Sequence, residues 1–336
     1  MGYDMPQKKI LILTVIIVVV IIGIVAFLLL SRPTPKTEIT IFTGGTGGVY
    51  FPLGSKYAEL LNKYAGDIVT ASARTSGASV ANARALAEGK ANVILIQNDI
   101  AYYAYHGLYM FKETGKINVM RGLATLYPET IQFVVRADSP IKSLYDLAGK
   151  RVAVGAAGSG TAVACEQILR AAGIWDKIEK VWAPFREAAS MLKLGEVDCA
   201  MLVAGVPTPA VSEIATTTPV RILPIPDEIL KKLHEQGYVF YIRQVVPKDT
   251  YNGMTEDVPT VAVLAMIAVR ADLPEDVVYM LTKVLFEHVD ELRTVHAKAR
   301  AISLETALNG MSIPLHPGAI KYYEEKGIKV PEELKP

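Results

Sequence analysis

Two glycine-rich segments hold the residues whose types and spacing best suit chemistry. The first, Thr43–Tyr50, reads TGGTGGVY and lies between a predicted strand and a predicted helix. Glycines at that place let the backbone approach a ligand closely, and they leave N–H groups free at the start of the helix. Such donors favour a carboxylate, phosphate or sulfate. Thr46 would add a hydroxyl group and Tyr50 an aromatic wall with a polar tip. A glycine-rich turn without a ligand is the alternative.

Neither glycine-rich segment matches a nucleotide-binding motif. In the first, Tyr50 occupies the position where a dinucleotide fingerprint has glycine or alanine. The second, Val154–Thr161, reads VGAAGSGT and lacks the lysine of a P-loop, which argues against ATP hydrolysis. Ser159 and Thr161 either cap the helix that follows or hold a carboxylate. Because each half of the chain has one such helix start, we predict two helix dipoles that converge on one cleft.

Three further segments carry polar or flexible residues next to predicted helix or strand ends. Ser76 and Ser79 are either ordinary helix caps or ligand contacts. Gln97 follows a buried strand, at the edge where open α/β sheets bind ligands, and otherwise caps the next helix. Gly205 lies in a proline-stiffened loop that either admits a ligand or is a rigid turn. Several arginines could each pair with a carboxylate, and the sequence singles out none of them: Arg74, Arg121, Arg136, Arg186 and Arg243.

Composition argues against several function classes. A formal net charge of +1 gives no electrostatic reason to bind nucleic acid or an anionic membrane. The 5 histidines show no metal-ligand spacing, and no cofactor is expected. No Ser-His-Asp set, Cys-His set or pair of catalytic carboxylates is evident, so we expect a protein that is not an enzyme. The two cysteines, Cys165 and Cys199, fall in elements predicted to be buried and are expected to be inert core thiols.

The order of the predicted elements indicates an α/β fold in two lobes. Strand and helix alternate, which is typical of a parallel sheet covered by helices. The predicted helices include Tyr50–Tyr64, Lys142–Ala148 and one from Asp272 to about Leu292, and the predicted strands include Ile131–Val135 and Val258–Val269. Single cores stop growing at roughly 250–300 residues, so a chain of this length is expected to divide. We predict lobe I over residues 38–127 plus 262–336, and lobe II over residues 128–261. The chain would cross between the lobes near Thr125–Phe133 and Tyr241–Val261, and paired crossings permit a hinge.

The N-terminal residues predict a membrane anchor. Lys8 and Lys9 precede an apolar run, Ile10–Leu30, which at about 1.5 Å per residue spans roughly 30 Å, the thickness of a bilayer core. The lysines would keep residues 1–9 in the cytoplasm. Residues 31–37 would link the transmembrane helix to an extracytoplasmic receptor domain. A cleaved secretory signal is the alternative, but its apolar core is usually about 7–15 residues long and ends at a small-residue site.

Several segments together resemble the TAXI solute receptors, the extracytoplasmic binding proteins of one class of TRAP transporter. The likeness covers nearly all of Ile39–Gly327, in order. Its most specific motifs are GGTGGVY, QNDIAYYAYHG and AGVPTPAV. The segment IKSLYDLAGKRVAVG is shared by many periplasmic receptors. Family members are often free in a periplasm or lipid-anchored, so the N-terminal helix predicted here departs from the family pattern.

The resemblance implies a two-lobe type II periplasmic binding protein fold whose lobes close over a small carboxylate, such as glutamate or a dicarboxylate. The loaded receptor would dock on a membrane permease driven by an ion gradient. The ligand contacts that the resemblance implies are Gly45, Thr46, Tyr50, Ser76, Gln97, Ser159, Thr161 and Gly205. A sensory ligand-binding protein is an alternative function, and an anchored enzyme on the same scaffold is a more distant one.

Overall fold

The computed structural model describes residues 14–18, 20–21 and 36–336, and the chain divides into two units, Met1–Lys36 and Thr37–Pro336. The described residues 14–18 and 20–21 are helical and exposed. Within the described residues, no helix is both long enough and apolar enough to cross a membrane. Most of the predicted span Ile10–Leu30 lies outside these residues, as do residues 1–9 and most of the linker, so the anchor stays a prediction.

The described part of the second unit contains ten strands in one sheet. They are β1 (Thr37–Phe42), β2 (Val69–Arg74), β3 (Val93–Gln97), β4 (Met120–Arg136), β5 (Arg151–Gly155), β6 (Glu179–Trp182), β7 (Cys199–Ala204), β8 (Val220–Leu223), β9 (Ile242–Val246) and β10 (Val258–Arg270). Their order is β2-β1-β3-β10-β4-β7-β5-β6, with β8 paired to β4 and β9 paired to β10.

The sheet is mixed rather than parallel throughout. β1 is parallel to β2 and β3, and β5 is parallel to β6 and β7. β10 is antiparallel to both β3 and β4, and β4 is antiparallel to β7. The predicted parallel sheet is therefore correct only for the two outer groups. The strands that reverse direction are the two long ones, β4 with 17 residues and β10 with 13.

Helices connect the strands as the alternation predicts. They are α1 (Tyr50–Tyr64), α2 (Ser79–Ala87), α3 (Asn98–His106), α4 (Gly160–Ala171), α5 (Phe185–Leu194), α6 (Pro209–Ala215), α7 (Asp227–Glu235), α8 (Glu275–Glu287), α9 (Val289–Arg293) and α10 (Pro317–Glu325). α1 buries Leu53, Tyr57 and Leu61 at a spacing of one turn, which gives it one apolar face. α3 and α5 each end at a glycine in the left-handed conformation, Gly107 and Gly195.

Two helix predictions need correction. The helix predicted over residues 142–148 is a 3-10 turn, Leu144–Leu147, whose two buried leucines are three residues apart as that tighter helix requires. The helix predicted to run to about Leu292 is interrupted at His288, where φ is −120°, and so forms α8 and α9.

The apolar core consists of three clusters that share the two long strands. One cluster takes nearly all its residues from 39–127 and 265–334, and the other two take theirs from 131–263. β4 and β10 contribute residues to all three. The division into lobes at residues 127/128 and 261/262 remains our proposal. Cys165 and Cys199 are free and buried, and burial raises the pKa of both thiols, so neither should react readily.

Candidate functional site

Hydrogen bonds to Thr43 fix the glycine-rich turn that follows β1. The Thr43 N–H and Oγ1 both donate to the Arg74 carbonyl, at 3.0 and 2.7 Å. Asn82 Nδ2 donates to the Thr43 carbonyl at 2.7 Å and to the Leu95 carbonyl at 2.8 Å. Gly45–Val49 therefore leave the sheet from a fixed point and lead directly into α1.

A second turn, Ser76–Ser79, lies against the first. Ser76 Oγ donates to the Thr43 carbonyl at 3.1 Å and accepts from the Ala78 N–H at 3.1 Å. Ala78 has φ of 64°, a left-handed conformation that residues with a side chain seldom adopt. Strained residues of this kind cluster at ligand sites. Ser79 Oγ accepts from the Gln97 N–H at 3.2 Å, which ties this turn to the end of β3.

The start of α4 provides a third turn. Ser159 caps the helix, because its Oγ accepts from the Ala162 N–H at 3.1 Å and donates to the Ala156 carbonyl at 2.7 Å. Gly155 has φ of 103°, and a Cβ there would lie 2.8 Å from Thr161 Cγ2. Only glycine fits this position, so Gly155 is a structural requirement of the turn.

Gln97 lies against the start of α4. A Cβ on Gly160 would collide with Gln97 Oε1, so the absence of a side chain at residue 160 permits this approach. Gln97 Oε1 is buried and has no hydrogen-bond partner among the residues that the structure describes. The neighbouring Asn98 has a structural role, since its Oδ1 accepts from the Leu264 N–H at 3.0 Å and its Nδ2 donates to the Gly310 carbonyl at 3.1 Å.

Three hydrogen bonds and one apolar contact join the first part of the chain to residues 128–261 around these turns. One of the bonds runs from the Tyr50 hydroxyl to Glu129 Oε2, at 2.8 Å. The Ala81 N–H donates to the Gly158 carbonyl at 3.1 Å, and the Ala210 N–H donates to the Gly47 carbonyl at 3.1 Å. A Cβ on Gly48 would lie 3.3 Å from the Phe185 ring. The three turns are thus held close together by direct contacts.

The turns enclose a cavity of about 80 Å³. One water needs roughly 15 Å³, so a small organic molecule fits better than a single water. The cavity is lined by Gly44, Gly45, Gly48, Val49, Tyr50, Ser76, Gly77, Ala78, Ser79, Gln97, Glu129, Ala156, Ser159, Gly160, Thr161, Pro184, Phe185, Val203 and Ala204. Backbone amides, hydroxyl groups and apolar side chains dominate this wall.

Six of the eight predicted contact residues line the cavity, namely Gly45, Tyr50, Ser76, Gln97, Ser159 and Thr161. Thr46 is exposed and Gly205 is buried, and neither is among the lining residues. A Cβ on Gly205 would lie 2.5 Å from Lys298 Cγ and 3.3 Å from Tyr127 Cε2, so Gly205 packs against these side chains. Whether any of the eight residues binds a ligand stays a prediction.

Glu129 lines the cavity, although its position was predicted only as part of a crossing between lobes. It lies in β4 and is 3% exposed, and its Oε2 accepts from the Tyr50 hydroxyl at 2.8 Å. The pKa of this carboxyl is raised to about 8, because burial and, to a smaller extent, the nearby Asp99 outweigh the lowering by the bonds from Tyr50 and Gln97. A charged residue in the middle of an apolar strand was the sequence signal for it.

Asp99 is a second buried carboxyl group close to Glu129. It lies at the start of α3, is fully buried, and neither carboxyl oxygen has a hydrogen-bond partner among the described residues. The pKa of this carboxyl is raised to about 7, chiefly by burial. Unlike Glu129, Asp99 does not line the cavity.

The cavity offers donors for an anion and one acidic side chain. None of its lining residues is lysine or arginine, and Arg74, Arg121, Arg136, Arg186 and Arg243 all lie elsewhere. An anion in this cavity would therefore rely on backbone N–H groups and hydroxyl groups. No cluster of three or more metal-ligating side chains is found in the described residues.

The comparison with protein families matches residues 41–327 of this sequence to the NMT1-like family. The chain belongs to the NMT1-like family. The match covers both glycine-rich turns, Glu129 and every other residue that lines the cavity.

Solved structures similar to this NMT1-like protein are distant in sequence. A protein from Bordetella bronchiseptica RB50 is 16% identical, with a TM-score of 0.53, over 89% of this chain and 91% of that one. The periplasmic aliphatic sulphonate binding protein SsuA from Escherichia coli is 17% identical, with a TM-score of 0.49, over 87% and 84%. The substrate binding protein of an amino acid ABC transporter is 14% identical, with a TM-score of 0.46, over 77% and 96%. These likenesses concern the fold alone.

Proposed function

We propose that this protein is an extracytoplasmic solute receptor of the TAXI type. It captures a small carboxylate, such as glutamate or a dicarboxylate, and delivers it to a TRAP-type membrane permease. Residues Ile10–Leu30 would anchor it in the membrane with Thr37–Pro336 outside. It binds its ligand without chemical conversion and needs no cofactor.

One observation carries the proposal: residues from both proposed lobes line the same cavity. Gly45, Tyr50 and Gln97 belong to lobe I, and Ser159 and Thr161 belong to lobe II. A ligand favours a closed state only if it contacts more in that state than in the open one. A carboxylate held by both sets of donors would meet this condition, because opening would break half of its contacts.

The TAXI assignment rests on the motifs GGTGGVY, QNDIAYYAYHG and AGVPTPAV, which run in order through the segment that matches the NMT1-like family. The first motif includes Gly45 and Tyr50, which line the cavity. The second begins at Gln97, which lines it too, and the third begins at Ala204, the last residue of β7, which lines it as well. All three motifs therefore border the proposed binding site.

The proposal is tested by calorimetry and thermal unfolding of the full chain in mild detergent, with glutamate, other amino acids and dicarboxylates as probes. We expect saturable heat and a higher melting temperature with at least one probe. Thr161→Val, which removes a hydroxyl from the cavity wall at nearly constant volume, should weaken binding by roughly 5-fold. Thr217→Val removes an exposed hydroxyl and should leave binding unchanged. Absence of heat and of thermal shift with every probe would contradict the proposal.

A further inference from the structure

Glu129 is the one charged side chain among the described residues that line the cavity. It is 3% exposed, and the Tyr50 hydroxyl donates to its Oε2 at 2.8 Å. A buried carboxylate is costly unless a cation or several donors accompany it. The side chain therefore lacks a counter-ion in a cavity that is otherwise neutral.

The groups that face Glu129 from each neighbouring element supply no positive charge. α1 contributes Tyr50, α3 contributes Asp99, and Tyr127 is on the same strand. The residues paired with this part of β4 are apolar, with Val263 of β10 opposite Glu129 and Ala204 of β7 opposite Thr130. Gln97 adds only a neutral amide. At neutral pH the empty cavity therefore keeps a proton on Glu129, whose pKa is about 8.

The other polar groups of the cavity wall favour a negatively charged ligand group, whereas Glu129 favours a positively charged one. The turn at Gly45 and the helix start at Gly160–Thr161 present backbone N–H groups, and Thr161 adds a hydroxyl group, all of which suit a carboxylate. The Ala78 and Ser159 N–H groups are already bonded to Ser76 Oγ and to the Ala156 carbonyl. One carboxylate of a dicarboxylate would bind the donors at Gly45 and Gly160–Thr161. Glu129 would then lie next to the second carboxylate of the ligand or to its apolar carbon chain. An amino acid carries a carboxylate for the donors and an ammonium group for the acid.

Resting on the proposed function, we propose that Glu129 accepts the ammonium group of a bound amino acid, so that the receptor prefers zwitterionic amino acids over carboxylates without an amine. The carboxylic acid of Glu129 loses its proton to solvent as the ammonium group takes its place, and the N⁺–H group donates to the carboxylate. Binding therefore releases close to one proton per ligand at pH 7.

The test compares each amino acid with the acid that lacks its amine, using the full chain. The probes are glutamate with glutarate, aspartate with succinate, alanine with propionate, and leucine with 4-methylpentanoate. We expect at least one amino acid to bind more than about 10-fold tighter than its partner, as for a buried charge-assisted pair. Glu129→Gln should reduce that preference to below about 3-fold, whereas Asp99→Asn, which changes a buried acid outside the cavity wall, should keep it.

Proton release by the wild type gives a second readout, and this measurement does not require that any variant folds. Titrations at pH 7 in buffers of different ionisation enthalpy should show about one proton released by the wild type and none by Glu129→Gln. Acids without an amine that bind as tightly as their amino acids, or a preference unchanged in a folded Glu129→Gln variant, would overturn the inference and leave the receptor function standing. No binding of any probe would instead overturn the proposed function, and with it this inference.

Discussion

At the scale of single residues, the two buried carboxyl groups differ in what surrounds them. Glu129 has the Tyr50 hydroxyl as a donor and borders the cavity, whereas the Asp99 side chain has no partner among the described residues. Burial disfavours the charged form of both, so each retains its proton at a higher pH than in the unfolded chain. Their effects on stability and on binding should therefore be separable by substitution.

Asp99 should make the protein less stable as the pH rises from 4 to 7. Its pKa increases from 3.8 in the unfolded chain to about 7 in the folded one, so within that range the folded state holds a proton that the unfolded chain has released. The loss of unfolding free energy is on the order of 4 kcal/mol in total, at about 1.4 kcal/mol per pKa unit. Asp99→Asn should reduce the difference in unfolding free energy between pH 5 and pH 8 and leave the part due to Glu129, whose pKa is also raised, as urea unfolding at the two pH values would show.

The matched control for that prediction is Asp67→Asn, because Asp67 is exposed. The unfolding free energy of Asp67→Asn should depend on pH in the same way as that of the wild type. If Asp99→Asn kept the wild-type difference between pH 5 and pH 8, the folded-state proton would have to be on another group.

Gly160 should tolerate no side chain, because a Cβ there meets the amide of Gln97. We expect Gly160→Ala to lower the unfolding free energy by about 1–3 kcal/mol, the usual cost of overpacking, and to displace Gln97 from the cavity wall. Gly45→Ala is the control, since no atom lies within 4 Å of the added Cβ, and it should change stability by less than about 0.5 kcal/mol. Equal effects of the two substitutions, measured by thermal unfolding, would contradict this reasoning.

The parts of the site that are formed by residues adjacent in the sequence could be predicted, and the parts formed by residues distant in the sequence could not. Turns rich in glycine are visible in the sequence because backbone conformation is set by neighbouring residues, and residues of both turns line the cavity. Glu129 was missed because a charged residue in a strand faces either solvent or a cavity, and only the packing of α1 and β10 around it decides which. Gly205 likewise follows a strand that borders the cavity, but Lys298 and Tyr127 cover it.

At the scale of elements, α8 and α10 approach so closely that glycine is required at their contact. A Cβ on Gly318 would collide with the Glu275 carbonyl and lie 2.6 Å from the Tyr279 nitrogen, both of which are backbone atoms of α8. Backbone atoms cannot turn away as side chains do, so the helices themselves would have to separate.

We therefore expect Gly318→Ala to be more destabilising than a surface change in the same helix. The expected loss of unfolding free energy is about 2–3 kcal/mol, measured by urea unfolding. Glu324→Ala, an exposed position of α10, should stay within about 0.5 kcal/mol of the wild type. A Gly318→Ala variant as stable as Glu324→Ala would show that the two helices adjust at little cost.

The helix α1 and the long strand β10 were easier to predict than the long strand β4. The bounds of α1 agree with the prediction, Tyr50–Tyr64, because its apolar residues recur at one-turn spacing. The first eleven residues of β4, 120–130, were not recognised as strand, since Gly122 and Pro128 are typical of turns. Pairing with β10 keeps them extended, and β10 is far away in the sequence. Strand direction, too, depends on such distant pairing, so the sheet was wrongly expected to be parallel throughout.

At the scale of the whole second unit, several contacts between the proposed lobes lie next to the cavity. Gly47 contacts Ala210 and Phe185, and Ala81 contacts Gly158. Other contacts between the lobes involve residues that do not line the cavity, such as Tyr102 with Phe240. If the lobes separate when the cavity is empty, the contacts at Gly47 and Ala81 are among those that break. Ligand binding and lobe closure should then be one event, with the ligand contributing the contacts that hold the closed form.

Closure can be followed with a bimane label on Thr46→Cys, which is exposed beside Gly47. The native cysteines are buried and should stay unlabelled, and the exposed Trp182, near Phe185 in the sequence, can quench the label. We expect added ligand to lower bimane fluorescence in the full chain, and Trp182→Phe to abolish that change. Ligand binding that leaves the fluorescence constant would show that binding occurs without closure.

Two irregularities interrupt the pairing of β10 with β4, at Ala265/Met266 and at Ile267/Ala268. Bulges bend a strand, increase its twist and locally disrupt the ladder. If the lobes move as proposed, the paired long strands can bend most easily at these two places. Substitutions there, at residues that do not line the cavity, would then change the rates of opening and closing.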